Sequence, residues 1–137
     1  METILAQILT ALAALFAHPA VVVDRSDHTV TVYADEEVSV YPVGLGAAGW
    51  ETPTGVFRIT GAYRTDNPTG AYGPAVVTTT AVGRVDGEFN GAIALHGTNR
   101  PQLVPGNPSH GCLRMLNEDI AVVATTVEAG SILLIKD

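Results

Sequence analysis

The chain of 137 residues has a single cysteine, Cys112, and places two of its four histidines, His96 and His110, in the stretch that runs from His96 to Arg114. A thiol is a useful nucleophile only as thiolate, and a nearby imidazole can take its proton, the pairing used in Cys/His acyl transfer. His110 sits two positions before Cys112. His96 is far in sequence and must be brought in by the fold, as the bases of catalytic cysteines usually are, so it is the better base. Glycines and prolines space these residues in a way that no regular helix or central strand accepts. Ser109-His110-Gly111-Cys112, preceded by Pro108, has the composition of a tight turn that presents a side chain. Two competing assignments use the same residues. A lone cysteine often is a small buried apolar group. His96, His110 and Cys112 could also ligate zinc with a water, although the nearest acids, Glu118 and Asp119, lie outside the segment.

The elements that must position these groups are written mostly in strand grammar. Candidate strands are Val21 to Asp24, Thr29 to Tyr33 and Val38 to Val43, joined as two hairpins by turns at residues 25–28 and 34–37. Further strands are expected at Val56 to Thr60, Ala75 to Ala81, Ala92 to Leu95 and Ser131 to Ile135. His96 then stands at the end of a buried strand, where a rigid element can aim an imidazole at a loop. Residues 44–51 form a glycine-rich loop without the Gly-Lys-Ser/Thr ending of a phosphate-binding loop, and read as a mobile edge with Trp50 lining substrate or capping the core. Residues 61–74, rich in Gly, Pro and Tyr, read as a long functional loop from which Tyr63 and Tyr72 could stack on sugar or peptide. Asn117 to Val127 switches to helical composition, with Asn117 as N-cap, Glu118 and Asp119 in the first turn, and Ile120, Val123 and Val127 on one face. Gly130 closes it.

Composition narrows the class. An apolar content of 47% excludes intrinsic disorder, and the length suits one domain. Seven basic against fourteen acidic residues, without a Lys/Arg cluster, exclude a nucleic-acid footprint. One cysteine allows no internal disulfide. Residues 1–17 put Ile4, Leu5, Ile8, Leu9, Leu12, Leu15 and Phe16 on one side of a helix and Glu2, Thr3, Gln7 and Thr10 on the other. That amphipathic helix, ended by Pro19, is too short to span a bilayer comfortably and lacks the positive charge of a secretory signal. It is expected to dock on the domain or a neighbouring subunit, or to act as an atypical signal or membrane-surface anchor.

The run Ser109-His110-Gly111-Cys112-Leu113-Arg114-Met115, with His96-Gly97-Thr98 before it and Asn117 and Asp119 after it, resembles the signature of the L,D-transpeptidase catalytic domain, the YkuD-like family. Thr52-Pro53-Thr54-Gly55-Val56-Phe57 is similar to the family's Thr-Pro-x-Gly-x-Phe element, and Val21 to Tyr33 to its first hairpin. The resemblance covers about residues 20–137 and departs in two places. Twelve residues separate His96 from Ser109, slightly fewer than in many members, and Arg114 stands where others carry Asn. The first implies a shorter flap over the site, the second a subfamily with its own substrate preference.

The strand and helix pattern gives a mainly β, sandwich- or barrel-like domain with one helix beside the catalytic loop, which the resemblance makes an L,D-transpeptidase-like catalytic domain over residues 20–137, with the amphipathic helix read from periodicity occupying residues 1–19. The resemblance implies a peptidoglycan stem peptide as donor, cleaved after its third residue, usually diaminopimelate, through an acyl-enzyme on Cys112. An amine of a second stem accepts the acyl group, and water as acceptor would make the site a carboxypeptidase. In this scheme His96 is the base, the Gly97 carbonyl orients it, the N–H groups of Cys112 and Gly111 hold the oxyanion, and His110 shapes the turn. Arg114 suits a substrate carboxylate, with an ion pair to Glu118 or Asp119 as the alternative. Ser109, Thr98, Trp50 and Tyr72 join it as substrate-binding residues. No cofactor is called for, a carbapenem β-lactam is the expected covalent inhibitor, and the substrate places the protein outside the cytoplasmic membrane, in periplasm or cell wall. A non-catalytic wall-binding module of the same fold and a zinc hydrolase are the rivals.

Overall fold

The computed structural model describes residues 4–5, 19–85 and 88–137. The expected amphipathic helix therefore lies outside the described residues, apart from Ile4 and Leu5, which are helical. Among the described residues no helix is long and apolar enough to cross a membrane.

Strands β1 (Ala20–Asp24), β2 (Thr29–Ala34) and β3 (Glu37–Pro42) form the two expected hairpins. Between β2 and β3 only Asp35 and Glu36 remain, both with positive φ (50° and 62°), a backbone whose twist matches that of the flanking strands. β1 and β2 alternate buried and half-buried positions, as Val, Thr and Tyr at period two require of a sheet with one face on a core. β4 (Gly44–Gly46) is followed by β5 (Gly55–Arg64), β6 (Ala75–Val85) and β7 (Glu88–His96). A 3-10 turn at Pro101–Leu103 precedes β8 (Gly106–Ser109) and β9 (Leu113–Arg114). The helix α1 (Asn117–Thr126) leads into β10 (Ile132–Lys136).

These strands join in one curled sheet of order β3-β2-β1-β10-β5-β6-β7-β9-β4-β8. β1 pairs parallel with β10, and β9 parallel with β7, while the hairpin partners run antiparallel. The sheet wraps a core that includes Val21, Val23, Val30, Val77, Leu95, Leu113, Leu133 and Ile135, each fully buried and each contributing about 1.5–3 kcal/mol as side chains of this size do. α1 lies mainly against β6 and adds Ile120 and Val123 to that core. Its acidic first turn, Glu118 and Asp119, suits the positive end of the helix.

Two stretches differ from what the sequence predicts. Gly44–Gly46 is no mobile loop: it is a fully buried strand paired with β8 and β9, and only residues 47–51 remain as loop. Glycines carry no side-chain pattern, so a strand of this kind has no period to read. β5 also continues through Tyr63 to Arg64, which shortens the long loop to residues 65–74.

Candidate active site

The alternation of the sheet decides which groups meet. Leu95 on β7 pairs in register with Leu113 on β9, and His96 pairs with Arg114. Leu95 and Leu113 are fully buried in the core, so their neighbours His96, Arg114 and Cys112, which sits two before Arg114, fall on the opposite face. That face opens into a cleft of about 360 Å³ whose walls include Cys112, His96, Arg114, His110, Trp50 and Tyr72.

His96 is only 4% exposed, and its Nδ1 lies 2.5 Å from the Gly97 carbonyl oxygen. A carbonyl only accepts, so Nδ1 carries the proton and Nε2 keeps its lone pair. Burial holds the pKa of His96 below the ordinary imidazole range; the Gly97 carbonyl acts in the opposite sense, and the Arg114 charge lowers it further. The neutral imidazole is therefore favoured. The Tyr72 ring packs against it in a T-shaped arrangement, with 4.8 Å between centroids.

The backbone that carries His96 is locked from both sides. The Gly97 N–H donates to the Tyr72 carbonyl at 2.9 Å, and the Thr98 N–H to Asn117 Oδ1 at 2.8 Å. A Cβ on Gly97 would overlap Asn117 Oδ1 and come within 2.9 Å of Pro74 Cδ, so only glycine lets the loop of residues 65–74 and the helix close on this turn. Asn117 is thus not the N-cap. Leu116 holds that position without a side-chain bond, and the Asn117 amide is spent on the histidine turn instead.

The cysteine turn is held by hydroxyls. Ser109 Oγ donates to the Cys112 carbonyl at 2.6 Å and accepts the Gly111 N–H at 3.1 Å. Gly111 has φ of 122°, and a Cβ there would come within 2.9 Å of Ile93 Cδ1. Thr52, 1% exposed, donates to the Gly111 carbonyl at 2.8 Å and accepts the Gly46 N–H at 3.0 Å. Arg25 grips the Thr52 carbonyl at 2.7 Å. Half-buried Cys112 turns its sulfur to the Ala92 carbonyl at 3.9 Å, a long contact.

Several expected roles change accordingly. The Gly111 N–H, expected at the oxyanion, donates to Ser109 Oγ within its own turn. Ser109, though on the cleft wall, and Thr98 are 1% and 2% exposed, and their hydroxyls bond backbone, Thr98 Oγ1 accepting the Arg100 N–H at 2.9 Å; they build the site and do not face substrate with those groups. Trp50 stacks on His110 at 4.2 Å, and the pair forms one wall of the cleft. Tyr63 stands apart from Tyr72, over a second hollow with Arg64, Pro68 and Ala124. Among the described residues Arg114 has no ion pair with Glu118 or Asp119, and burial together with Glu118 raises the Asp119 pKa, which no cation holds down. No three His, Cys, Asp or Glu side chains converge as a metal shell among the described residues. Thr52 and Asn117 escaped the sequence-derived site, although both lie in the quoted motifs.

Comparison with known proteins gives the family and the fold. Residues 18–135 match the family model of the YkuD L,D-transpeptidase catalytic domain. The putative L,D-transpeptidase YqjB of Bacillus subtilis is 32% identical over 133 residues, 87% of this chain and 72% of that protein. The fold is shared with an L,D-transpeptidase from Mycobacterium smegmatis (TM-score 0.63, 22% identity, 88% of this chain and 59% of that one). It is shared also with L,D-transpeptidase 3 from Mycobacterium tuberculosis in complex with a faropenem-derived adduct (TM-score 0.63, 20% identity, 87% and 61%). The chain thus spans about three-fifths of the length of these two solved chains. By its sequence over nearly its whole length and by its fold, the chain belongs to the YkuD family of L,D-transpeptidase catalytic domains.

Proposed function

We propose that the chain is a peptidoglycan L,D-transpeptidase in which Cys112 is the nucleophile and His96 its base. The observation that carries this is the bond from His96 Nδ1 to the Gly97 carbonyl, which leaves Nε2 as the basic atom in the cleft that Cys112 shares. The sulfur leaves the Ala92 carbonyl, gives its proton to Nε2, and bonds to the carbonyl carbon that joins the third stem residue to the terminal D-Ala. The electron pair displaced onto the oxygen is met by the Cys112 N–H. Collapse restores the carbonyl and expels D-Ala as an amine, which takes the proton back from His96, leaving a thioester. An amine of a second stem then attacks, gives a proton to His96 and releases the thiolate. The Arg114 guanidinium, without an ion-pair partner among the described residues, binds a carboxylate of the stem. Trp50, His110 and Tyr72 flank the peptide. β-Lactams acylate the same sulfur, in keeping with the faropenem-derived adduct on the mycobacterial neighbour. Such a polymer places the work outside the cytoplasmic membrane, in periplasm or cell wall.

Incubation with a stem tetrapeptide and a second stem bearing a free amine tests this by mass spectrometry. The expected products are free D-Ala and a joined dimer of stems. Tripeptide and D-Ala without dimer would replace transfer by hydrolysis, and an unchanged tetrapeptide with folded protein would favour a non-catalytic wall-binding module.

A further inference from the structure

The turn between β1 and β2, residues 25–28, reaches two segments that lie far from it in sequence. Its own backbone is fixed first: the Arg25 N–H donates to the Lys136 carbonyl at 2.8 Å, and the Asp24 carboxylate accepts the Asp27 N–H at 2.9 Å. His28 closes the turn with φ of 55°, a left-handed backbone that a residue other than glycine keeps only where its surroundings hold it. Two side chains leave this turn toward the end of the sheet that carries Cys112. The Arg25 guanidinium donates to the Thr52 carbonyl at 2.7 Å and shares its Nε–H with Asp137 Oδ1 at 2.8 Å. His28 meets Asn107 Oδ1 through Nε2 at 2.7 Å, and its carbonyl accepts the Val43 N–H at 3.0 Å. Asn107 gives its Nδ2 to the Gly46 carbonyl, so Oδ1 is the atom that faces His28, and Nε2 carries the proton.

We propose, on the reading of Cys112 as nucleophile, that this turn clamps the turn that carries the sulfur, with Arg25 and His28 as positioning residues for acyl transfer. Arg25 acts through Thr52, whose hydroxyl donates to the Gly111 carbonyl at 2.8 Å and accepts the Gly46 N–H at 3.0 Å. His28 acts through Asn107, which ties β8 to the Gly46 carbonyl of β4. The Ala47 N–H continues that pairing to the Ser109 carbonyl at 2.8 Å, and the Ser109 hydroxyl holds the Cys112 carbonyl at 2.6 Å. Both arms meet a need of this end of the sheet. β4, β8 and β9 have three, four and two residues, and the β4–β8 register shifts between Gly44 and Gly46, so their own pairing leaves the cysteine turn weakly placed. None of Arg25, His28, Thr52 and Asn107 lines the cleft, so each reaches the sulfur only through backbone. Placement of that kind matters to rate: a misplacement of about 1 Å from a distant substitution can cost about 10²-fold.

The first-order rate of acylation at saturating carbapenem, followed by timed intact mass on variants that circular dichroism shows to be folded, tests the clamp. Arg25→Met and His28→Leu should each slow it by about tenfold, inside the range that misplacement causes. His28→Gln, whose amide nitrogen can replace Nε2 as the donor to Asn107, should restore most of the rate. Lys136→Met removes the neighbouring ion pair with Asp24 but leaves both arms intact, and should not change the rate. In the Thr52→Val background Arg25→Met should add little further slowing, whereas its effect on the denaturant midpoint should be the same in both backgrounds. Unchanged rates in both single variants, equal slowing by Lys136→Met, or a full Arg25→Met effect without the Thr52 hydroxyl would each overturn the clamp while the nucleophile stands. A folded wild type that gains no adduct would deny the acyl-transfer reading, and the clamp with it.

Discussion

The two ends of the curled sheet are stabilised by different physics. The β3-β2-β1-β10 end consists of strands of five or six residues in unbroken register, and in β1, β2 and β10 valines, leucine and isoleucine alternate into the core. The β9-β4-β8 end consists of strands of two, three and four residues, Leu-Arg, Gly-Leu-Gly and Gly-Asn-Pro-Ser, with a register shift between Gly44 and Gly46. Such strands bury little side chain. Side-chain hydrogen bonds hold this end together: Thr52 and Asn107 donate to backbone carbonyls of distant segments, Asn117 accepts the Thr98 N–H, and Ser109 ties its own turn. The first end stabilises the molecule, and the second end spends its interactions on placing a thiol and an imidazole.

Substitutions at the two ends should separate. Cys112→Ala is expected to abolish covalent adduct formation altogether while the thermal transition stays in place, as followed by intact mass and circular dichroism. Next in size, His96→Gln should slow acylation by about 10²–10⁴-fold, the range a positioned base contributes, measured by stopped-flow or timed mass spectrometry. At the opposite end, Leu133→Ala removes a fully buried side chain and should cost about 2–5 kcal/mol in denaturant unfolding. The acylation rate of the molecules that remain folded should not change. If it falls with stability, the two ends are not independent.

Thr52→Val loosens the second end and sharpens the contrast. It leaves the Gly111 carbonyl and the Gly46 N–H without their partner, so a loss of about 1–3 kcal/mol is expected, accompanied by slower acylation, because the turn that carries Cys112 loosens. A stability loss with an unchanged rate would deny Thr52 its positioning role.

The same contrast explains what was legible. Period-two alternation made β1, β2 and β3 readable nearly to the residue, and the helix beside the site was visible from its composition. β4 was not, because glycines have no inside and outside, and a proline in β8 argues against a strand until Asn107 is seen to bond its Nδ2 to the Gly46 carbonyl. His96, Cys112 and Arg114 were legible from residue type, and their shared cleft follows from the register of β7 and β9. The supporting residues were hidden for a different reason. Thr52 acts on Gly111, and Asn117 acts on Thr98, through bonds to backbone that leave no pattern in the sequence near either partner. For the Gly111 N–H, only the competing bond to Ser109 Oγ showed where it points.

The smallest effects concern pH. Burial lowers the His96 pKa in the folded protein, so as pH falls the unfolded chain takes up a proton there first. Stability contributed by the neutral imidazole is therefore complete above the ordinary imidazole value near 6.5 and is lost as pH drops from there through the lower folded value. His96→Gln should flatten that part of the stability profile in urea titrations run across the acid range. Arg114→Gln removes a positive charge that disfavours the imidazolium, so the His96 pKa, followed by NMR, and the acid limb of the acylation rate should both move to higher pH.

The central claim is that Cys112 and His96 form one acylating unit in the cleft. Intact-protein mass spectrometry after exposure to a carbapenem, followed by peptide mapping, tests it most directly. The account predicts one adduct per chain, on Cys112, that forms in the wild type and far more slowly in His96→Gln. Folded wild-type protein that gains no mass, or an adduct carried by any other residue, would contradict it.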